Sequence, residues 1–170
     1  FFRIPVGYAS NGSDHPTAVA DITIPGSGSS NAGTTFTMAT YNQPVRGNSS
    51  AAADAIKSHG FDVVGMQELS GPNYSYLRRT LGQSNYGIYP DWKGSLYSRP
   101  CSSSQSIFYN KNKFKFVKAE VFSYPRYADP AVNCDEGDTP TKGRANAPIV
   151  WLEDIKTGQG NITLKTQKTQ

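Results

Sequence analysis

The apolar residues of this chain first recur with a period of two. Ala18, Ala20, Ile22 and Ile24 alternate with Val19, Asp21 and Thr23, and Phe36 and Met38 alternate with threonines between Thr34 and Tyr41. Such alternation puts one set of side chains on one face, so both segments are predicted strands. Pro25-Gly-Ser-Gly-Ser-Ser-Asn-Ala-Gly33 lies between them and is long enough for a hairpin loop or a short linker. Pairing Ile24 with Thr34 sets Ile22 opposite Phe36 and Ala20 opposite Met38, which keeps both apolar sets on one face.

The pattern then changes. An alanine-rich helix, capped by Ser49 or Ser50, runs through Ile56 and stops at Gly60. Phe61-Asp-Val-Val-Gly-Met66 follows as a short apolar strand covered on both faces. Tyr74 to Leu81 reads as a second helix ended by Gly82. Further strands are expected at Tyr86–Tyr89, Gln105–Asn110, Phe114–Phe122, Pro148–Ile155 and Asn161–Thr166, with Lys156-Thr-Gly158 as the last hairpin turn. There is no internal repeat and no heptad. Helix and strand early, with many strands later, give an α/β fold: a layered β-sandwich with flanking helices.

Composition narrows the setting. The 170 residues, 36% hydrophobic, suffice for one core, and no apolar run approaches the ~20 residues of a spanning helix. Phe1 to Tyr8 lacks the basic-then-apolar layout of a signal peptide, so the start reads as mature, trimmed or internal. A net charge of +4 suits a polyanionic partner without requiring one. Cys101 and Cys134 both lie in Ser/Pro/Asp-rich stretches, which favours a loop-closing disulfide in an oxidising compartment over two buried thiols. A zinc site would need four suitably spaced Cys and His ligands, and the two Cys and two His of this chain lack that spacing. Abundant Gly, Ser, Thr and Tyr, with sequons at Asn11, Asn48, Asn73 and Asn161, fit a secreted or extracellular protein.

Two strand ends carry the candidate chemistry. Met38-Ala-Thr-Tyr-Asn42 ends in an amide, and Asp62-Val-Val-Gly-Met-Gln-Glu68 ends, one helix later, in a carboxylate. Hard oxygens on successive rigid strands suit Mg²⁺ or Mn²⁺, with Ca²⁺ a further candidate, and the chemistry would be phosphoester hydrolysis. The plainer alternative is a solvent-exposed Glu after a core strand.

Tyr41-Asn42 followed by Asp62-Val-Val and Gln67-Glu68 resembles the opening signature of the endonuclease/exonuclease/phosphatase family. Gln105-Ser-Ile-Phe-Tyr-Asn-Lys-Asn-Lys-Phe114 resembles the family's strand-turn-strand segment, and Gly143-Arg144-Ala-Asn-Ala-Pro-Ile-Val-Trp151 its Arg-x-x-x-Pro strand. The matches run in order from about Phe36 to Thr166. The resemblance implies that Glu68 binds the catalytic metal, that Asn42 supports the site, and that Arg144 contacts the scissile phosphate.

Two departures stand out. Lys165-Thr166-Gln167 occupies the place where the family runs into Asn-Thr-His. The family's Asp-x-Asn pair, its second-half strands and its closing Ser-Asp-His are expected next, but the chain ends at Gln170. The closing motif stands instead at the front: Ser13-Asp14-His15-Pro16 and the strand Thr17–Ile24 resemble the family's last motif and last strand. By that resemblance His15 serves as general base or transition-state donor, and Asp14 orients it or assists the metal. The hairpin register sets Pro16 opposite Asn42, which would gather Asp14, His15, Asn42 and Glu68 at one rim.

The division implied is 1–24 for the family's C-terminal segment, 25–33 for the connector and 34–170 for its N-terminal portion. A permuted domain, two tandem copies joined tail to head, or part of a longer chain would each produce this order, with the remainder supplied by another segment or a second chain. The function expected is a metal-dependent phosphodiesterase, with a secreted nuclease among the candidates. A non-catalytic surface or assembly module that keeps the fold is the alternative. Outside the site, His59 reads as a helix-end cation. Lys111, Lys113, Lys115 and Lys118 form either a polyanion contact or a solvated strand face, and Tyr124-Pro-Arg126-Tyr127 either a cleft lining or a fixed loop.

Overall fold

The computed structural model describes residues 17–26, 33–43, 47–69, 71–91, 105–123, 146–158 and 162–165. The order is β1 (Ala18–Ile24), β2 (Thr34–Asn42), α1 (Ser49–His59), β3 (Val63–Gln67), α2 (Gly71–Gln83), β4 (Tyr86–Tyr89), β5 (Ser106–Asn110), β6 (Phe114–Ser123), β7 (Asn146–Asp154) and β8 (Ile162–Lys165). Five strands form one sheet in the order β1-β2-β3-β5-β4, and three form a second in the order β6-β7-β8.

The first hairpin has the register its alternation dictates. β1 and β2 are antiparallel, with Ile22 opposite Phe36, Ala20 opposite Met38 and Ile24 opposite Thr34. Phe36 joins Val63, Ile107, Tyr109, Phe114, Val150 and Leu152 in the core between the sheets, and Ile22, Ile24 and Met38 pack against that cluster. β2 and β3 run parallel, linked through α1. Every residue of β3 is buried, because Val63 faces the second sheet while Val64 and Met66 face the helices.

Helix boundaries differ from the expected ones for identifiable reasons. Asn48, not Ser49 or Ser50, caps α1: its side-chain oxygen accepts from the N–H groups of Ser50 at 3.0 Å and Ala51 at 3.1 Å. Gly60 closes the helix in the left-handed region, at φ 62°. α2 starts at Gly71 rather than Tyr74, since Pro72 in the first turn has no N–H that would need a partner. It continues through Gly82 to Gln83. Ala52, Ala53 and Ile56 of α1, with Tyr74, Leu77 and Leu81 of α2, are buried against Ala39, Tyr41, Val64, Met66 and Phe108.

Asp62 braces the start of β3. Its carboxylate accepts from the Thr37 N–H at 3.0 Å and from Lys113 Nζ at 2.7 Å, and its carbonyl accepts from the Asn110 N–H at 2.8 Å. One residue thus ties β2, β3, β5 and the β5–β6 turn together. At the same end, Thr34 and Thr157 share a hydroxyl hydrogen bond of 3.1 Å, and Phe36 meets Phe114 edge to face. The turn after β7 therefore lies beside the start of β2. It follows that β7 begins at the end of the sandwich where β2 finishes.

Candidate active site

Four strand ends meet at that far rim. β2 finishes at Asn42 and β3 at Gln67, which are register partners, and the Gln43 N–H extends the ladder to the Gln67 carbonyl at 2.9 Å. β1 begins at Ala18, opposite Thr40, and β5 begins at Ser106, opposite Met66. By strand alternation Thr40, Asn42, Gln67 and Gln105 share the face that looks toward the second sheet.

Glu68 leaves this rim on strained backbone. Its φ of 59° is uncommon for a residue with a side chain and costs on the order of 1 kcal/mol. Gln67 and Leu69 on either side of it are buried, while Glu68 is exposed. The left-handed turn lets two buried anchors project one carboxylate to solvent. Gln67 is itself fixed, since its Nε2 donates to Thr40 Oγ1 at 2.9 Å and to the Gly65 carbonyl at 3.1 Å.

The rim also collects unmet polar atoms. Among the described residues, the buried side-chain atoms without a hydrogen-bond partner are Thr17 Oγ1, Asn42 Oδ1, both amide atoms of Gln43, and Gln105 Oε1. All four residues stand at the strand ends just named. Leaving such a group unmatched costs about 1–3 kcal/mol, which singles this rim out within the described structure. Gln43 and Gln105 were not singled out from sequence, because their signal is burial without a partner.

Asn42 and Glu68 fit a hard divalent cation. Mg²⁺ takes oxygen ligands, keeps several waters and needs only one or two carboxylates. Asn42 Oδ1 has no partner among the described residues, and it stands next to the strand that Glu68 follows. No cluster of three or more His, Cys, Asp or Glu occurs among the described residues, so the described rim contributes one carboxylate and amide oxygens. Below it, burial raises the Tyr41 phenol above its ordinary pKa, which keeps it neutral.

Of the expected site residues, the structure describes Asn42 and Glu68, which stand at adjacent strand ends. Asp14, His15 and Arg144 lie outside the described residues, as do Cys101, Cys134, Gln167, Asn11, Asn161 and Tyr124 to Tyr127. Lys165 is the last residue of β8, paired with Ile149. The lysine cluster is mostly neutralised: Lys113 pairs with Asp62, Lys115 with Glu153 at 3.8 Å and Lys118 with Glu120 at 3.2 Å. These pairs fit the solvated-face reading. His59 stacks on Phe61 at the end of α1. Among the sequons, Asn73 is 8% exposed and accepts from Ser49 Oγ at 2.8 Å, a poor glycan acceptor.

No protein-family model matches the chain, and no curated protein matches it. Solved structures do. An endonuclease/exonuclease/phosphatase family protein from Bacteroides thetaiotaomicron superposes with a TM-score of 0.55 at 19% identity, covering 80% of this chain and 49% of that one. A mannosyl-6-phosphatase of the same organism gives 0.51 at 18% identity, covering 75% and 49%. TDP2 of D. rerio, complexed with single-strand DNA product, gives 0.52 at 17% identity, covering 75% and 43%. The chain therefore spans less than half the length of each of these structures, and within that span its fold is the one found in endonuclease/exonuclease/phosphatase proteins.

Proposed function

We propose that this chain forms part of a divalent-metal-dependent phosphoester hydrolase, a phosphodiesterase with nucleic acid among its candidate substrates. The observation that carries the reading is the placement, at adjacent ends of two parallel strands, of Asn42 Oδ1, unmatched among the described residues, and the exposed Glu68. Two structures of the same fold are named for phosphoester chemistry or a DNA product, which supports the substrate class.

Glu68 and Asn42 would hold Mg²⁺ or Mn²⁺. When bound, the cation supplies Lewis-acid stabilisation of charge on the phosphoryl oxygens. Arg144 would grip those oxygens with its planar fork of donors. It stands two residues before β7, which begins at the Asn42 end of the sandwich. His15 would take the proton of the attacking water as the P–O ester bond breaks, and Asp14 would orient its imidazole. His15 is three residues before Ala18, whose partner is Thr40, and three residues of chain reach about 10 Å at most. The β1–β2 hairpin supports a permuted order in which residues 1–24 act as the family's closing segment, with the remainder of the domain in another segment. Secretion and a Cys101–Cys134 disulfide belong to the same proposal; alkylation and intact mass without reductant test the bridge, which free thiols would refute.

Lys165 favours a second reading, a non-catalytic module that keeps the fold, because it puts a cation in a strand where the resemblance calls for Asn. Hydrolysis of bis(p-nitrophenyl) phosphate with Mn²⁺ separates the two. The enzyme reading expects metal-dependent turnover that Glu68→Ala abolishes and that His15→Ala lowers ~10²–10⁴-fold with metal binding retained. Mn²⁺ binding with no turnover selects the second reading, and turnover indifferent to Glu68 overturns the first.

A further inference from the structure

We infer that Gln105 is a third cation-facing residue of this rim, its amide oxygen accepting hydrogen bonds from water on the divalent ion that Glu68 and Asn42 hold; the inference rests on the proposed function. Gln105 is 5% exposed, and its Oε1 has no partner among the described residues. It sits one residue before Ser106, the partner of Met66, and therefore beside Gln67. Alternation from Ile107, which packs in the inter-sheet core, turns Gln105 to the same face.

The unmet atoms on that face have a common chemistry. Asn42 Oδ1 and Gln105 Oε1 are both acceptors, and the exposed carboxylate of Glu68 between their strands is an acceptor too. Unmatched acceptors repel a bare phosphate and match donors or cations. A hydrated Mg²⁺ or Mn²⁺ offers both, as positive charge and as polarised water O–H groups.

The span is suitable. β2 and β5 flank β3, so Asn42 and Gln105 stand two strand spacings apart, about 9.6 Å. With Asn42 on the ion at about 2.1 Å, and an ion-bound water at about 2.1 Å donating to Gln105 over about 2.7 Å, one hydrated ion addresses acceptors up to about 7 Å apart. The reach of the two side chains covers the difference. Gln67 does not compete for this role, since Thr40 and the Gly65 carbonyl occupy its amide.

The signature is a trade between stability and binding. A structural glutamine stabilises the apo protein, whereas an unmet one destabilises it until its ligand arrives. Mn²⁺ binding, read by loss of the free-ion EPR signal, and the metal-free Tm should be measured on the full chain and on Gln105→Leu, Gln105→Glu and Glu68→Ala. Gln105→Leu is expected to weaken Mn²⁺ binding about tenfold or more without lowering the metal-free Tm. Gln105→Glu should tighten binding by adding charge. Unchanged binding in Gln105→Leu, with binding lost in Glu68→Ala, overturns the inference and leaves the proposed function standing. If Gln105→Leu weakens binding and also lowers Tm, Gln105→Glu decides: tighter binding upholds the inference, and unchanged or weaker binding overturns it. Glu68→Ala binding Mn²⁺ like the parent removes the proposed function itself, and this inference with it.

Discussion

The two ends of the sandwich treat polar groups in opposite ways. At the end where β2 and β3 begin, Asp62 spends its carboxylate on Thr37 and Lys113, and Asp154 accepts from the N–H groups of Lys156 at 2.7 Å and Thr157 at 3.1 Å. At the end where those strands finish, Asn42, Gln43 and Gln105 are buried or half-buried with atoms unmatched, and Glu68 stands exposed on left-handed backbone. One end closes the sheets. The other leaves hydrogen-bonding groups unmatched among the described residues, at a cost in stability.

Breaking the closed end should have the largest effect. Asp62→Ala removes a charged brace shared by β2, β3 and the turn before β6, leaving Lys113 unpaired and the Thr37 N–H without its acceptor. Urea unfolding is expected to show a loss of about 3 kcal/mol, since hydrogen bonds to charged groups contribute roughly 1.5–3 kcal/mol each and these are partly accessible to water. An unchanged midpoint would mean the brace is incidental.

The open end should respond with the opposite sign. Gln43 is fully buried with both amide atoms unmatched among the described residues, so Gln43→Leu, close in volume and apolar, is expected to stabilise the metal-free protein by about 1 kcal/mol. A lower Tm would show that an internal water or another segment satisfies the amide, and the contrast between the ends would narrow to Asn42 and Gln105.

These two ends were unequally legible in the sequence. The β1–β2 register followed from alternation alone, because a slip of one residue would turn Ile22 and Phe36 out of the core. Asn42 and Glu68 were visible as polar residues ending apolar strands. The α1 cap was displaced by one residue because Asn48-Ser49-Ser50 offers three competent caps, and only the reach of Asn48 Oδ1 to two N–H groups decides among them. Gln43 and Gln105 carried no signal of a role at the rim. Lacking a partner is a property of three dimensions, and a glutamine at a strand end reads the same whether it is hydrated or stranded. The lysines of β6 left two readings open in the sequence, since their acidic partners lie partly on β7, across the sheet.

Asp154 sharpens the comparison through pH. Burial pushes its pKa up, but the N–H of Thr157, the Thr34 hydroxyl, the N–H of Lys156 and the charge of Lys113 together outweigh that and hold it below the usual carboxylate range. A depressed folded pKa stabilises the protein above the unfolded value of about 3.9 and loses that contribution as pH falls through the folded value. Stability should therefore drop on acidification below about pH 4, and Asp154→Asn should flatten that part of the profile. A variant with the parent's acid slope would assign the slope to other carboxylates.

The smallest effect is expected on the outer face of the second sheet. Lys118 lies 4.1 Å from the centre of the Trp151 ring and 3.2 Å from Glu120, contacts that would suggest a firm surface anchor. Both charged partners are more than half exposed, at 57% and 59%, so water screens the pair and competes for the ammonium. An exposed ion pair contributes about 0–1 kcal/mol, and a water-accessible cation over a ring about 0.5–1 kcal/mol. Their sum is reduced by the entropy of fixing a long side chain. Lys118→Gln, which keeps the stem over Trp151 and removes the charge, should thus shift stability by less than about 0.5 kcal/mol at 0.15 M salt. A larger loss that vanishes in high salt would show that this face gathers charge for a purpose, and would return the lysines of β6 to consideration as a contact for a polyanion. A null result leaves the reserve of unmet hydrogen bonds at the opposite rim as the feature that sets one surface of this fold apart.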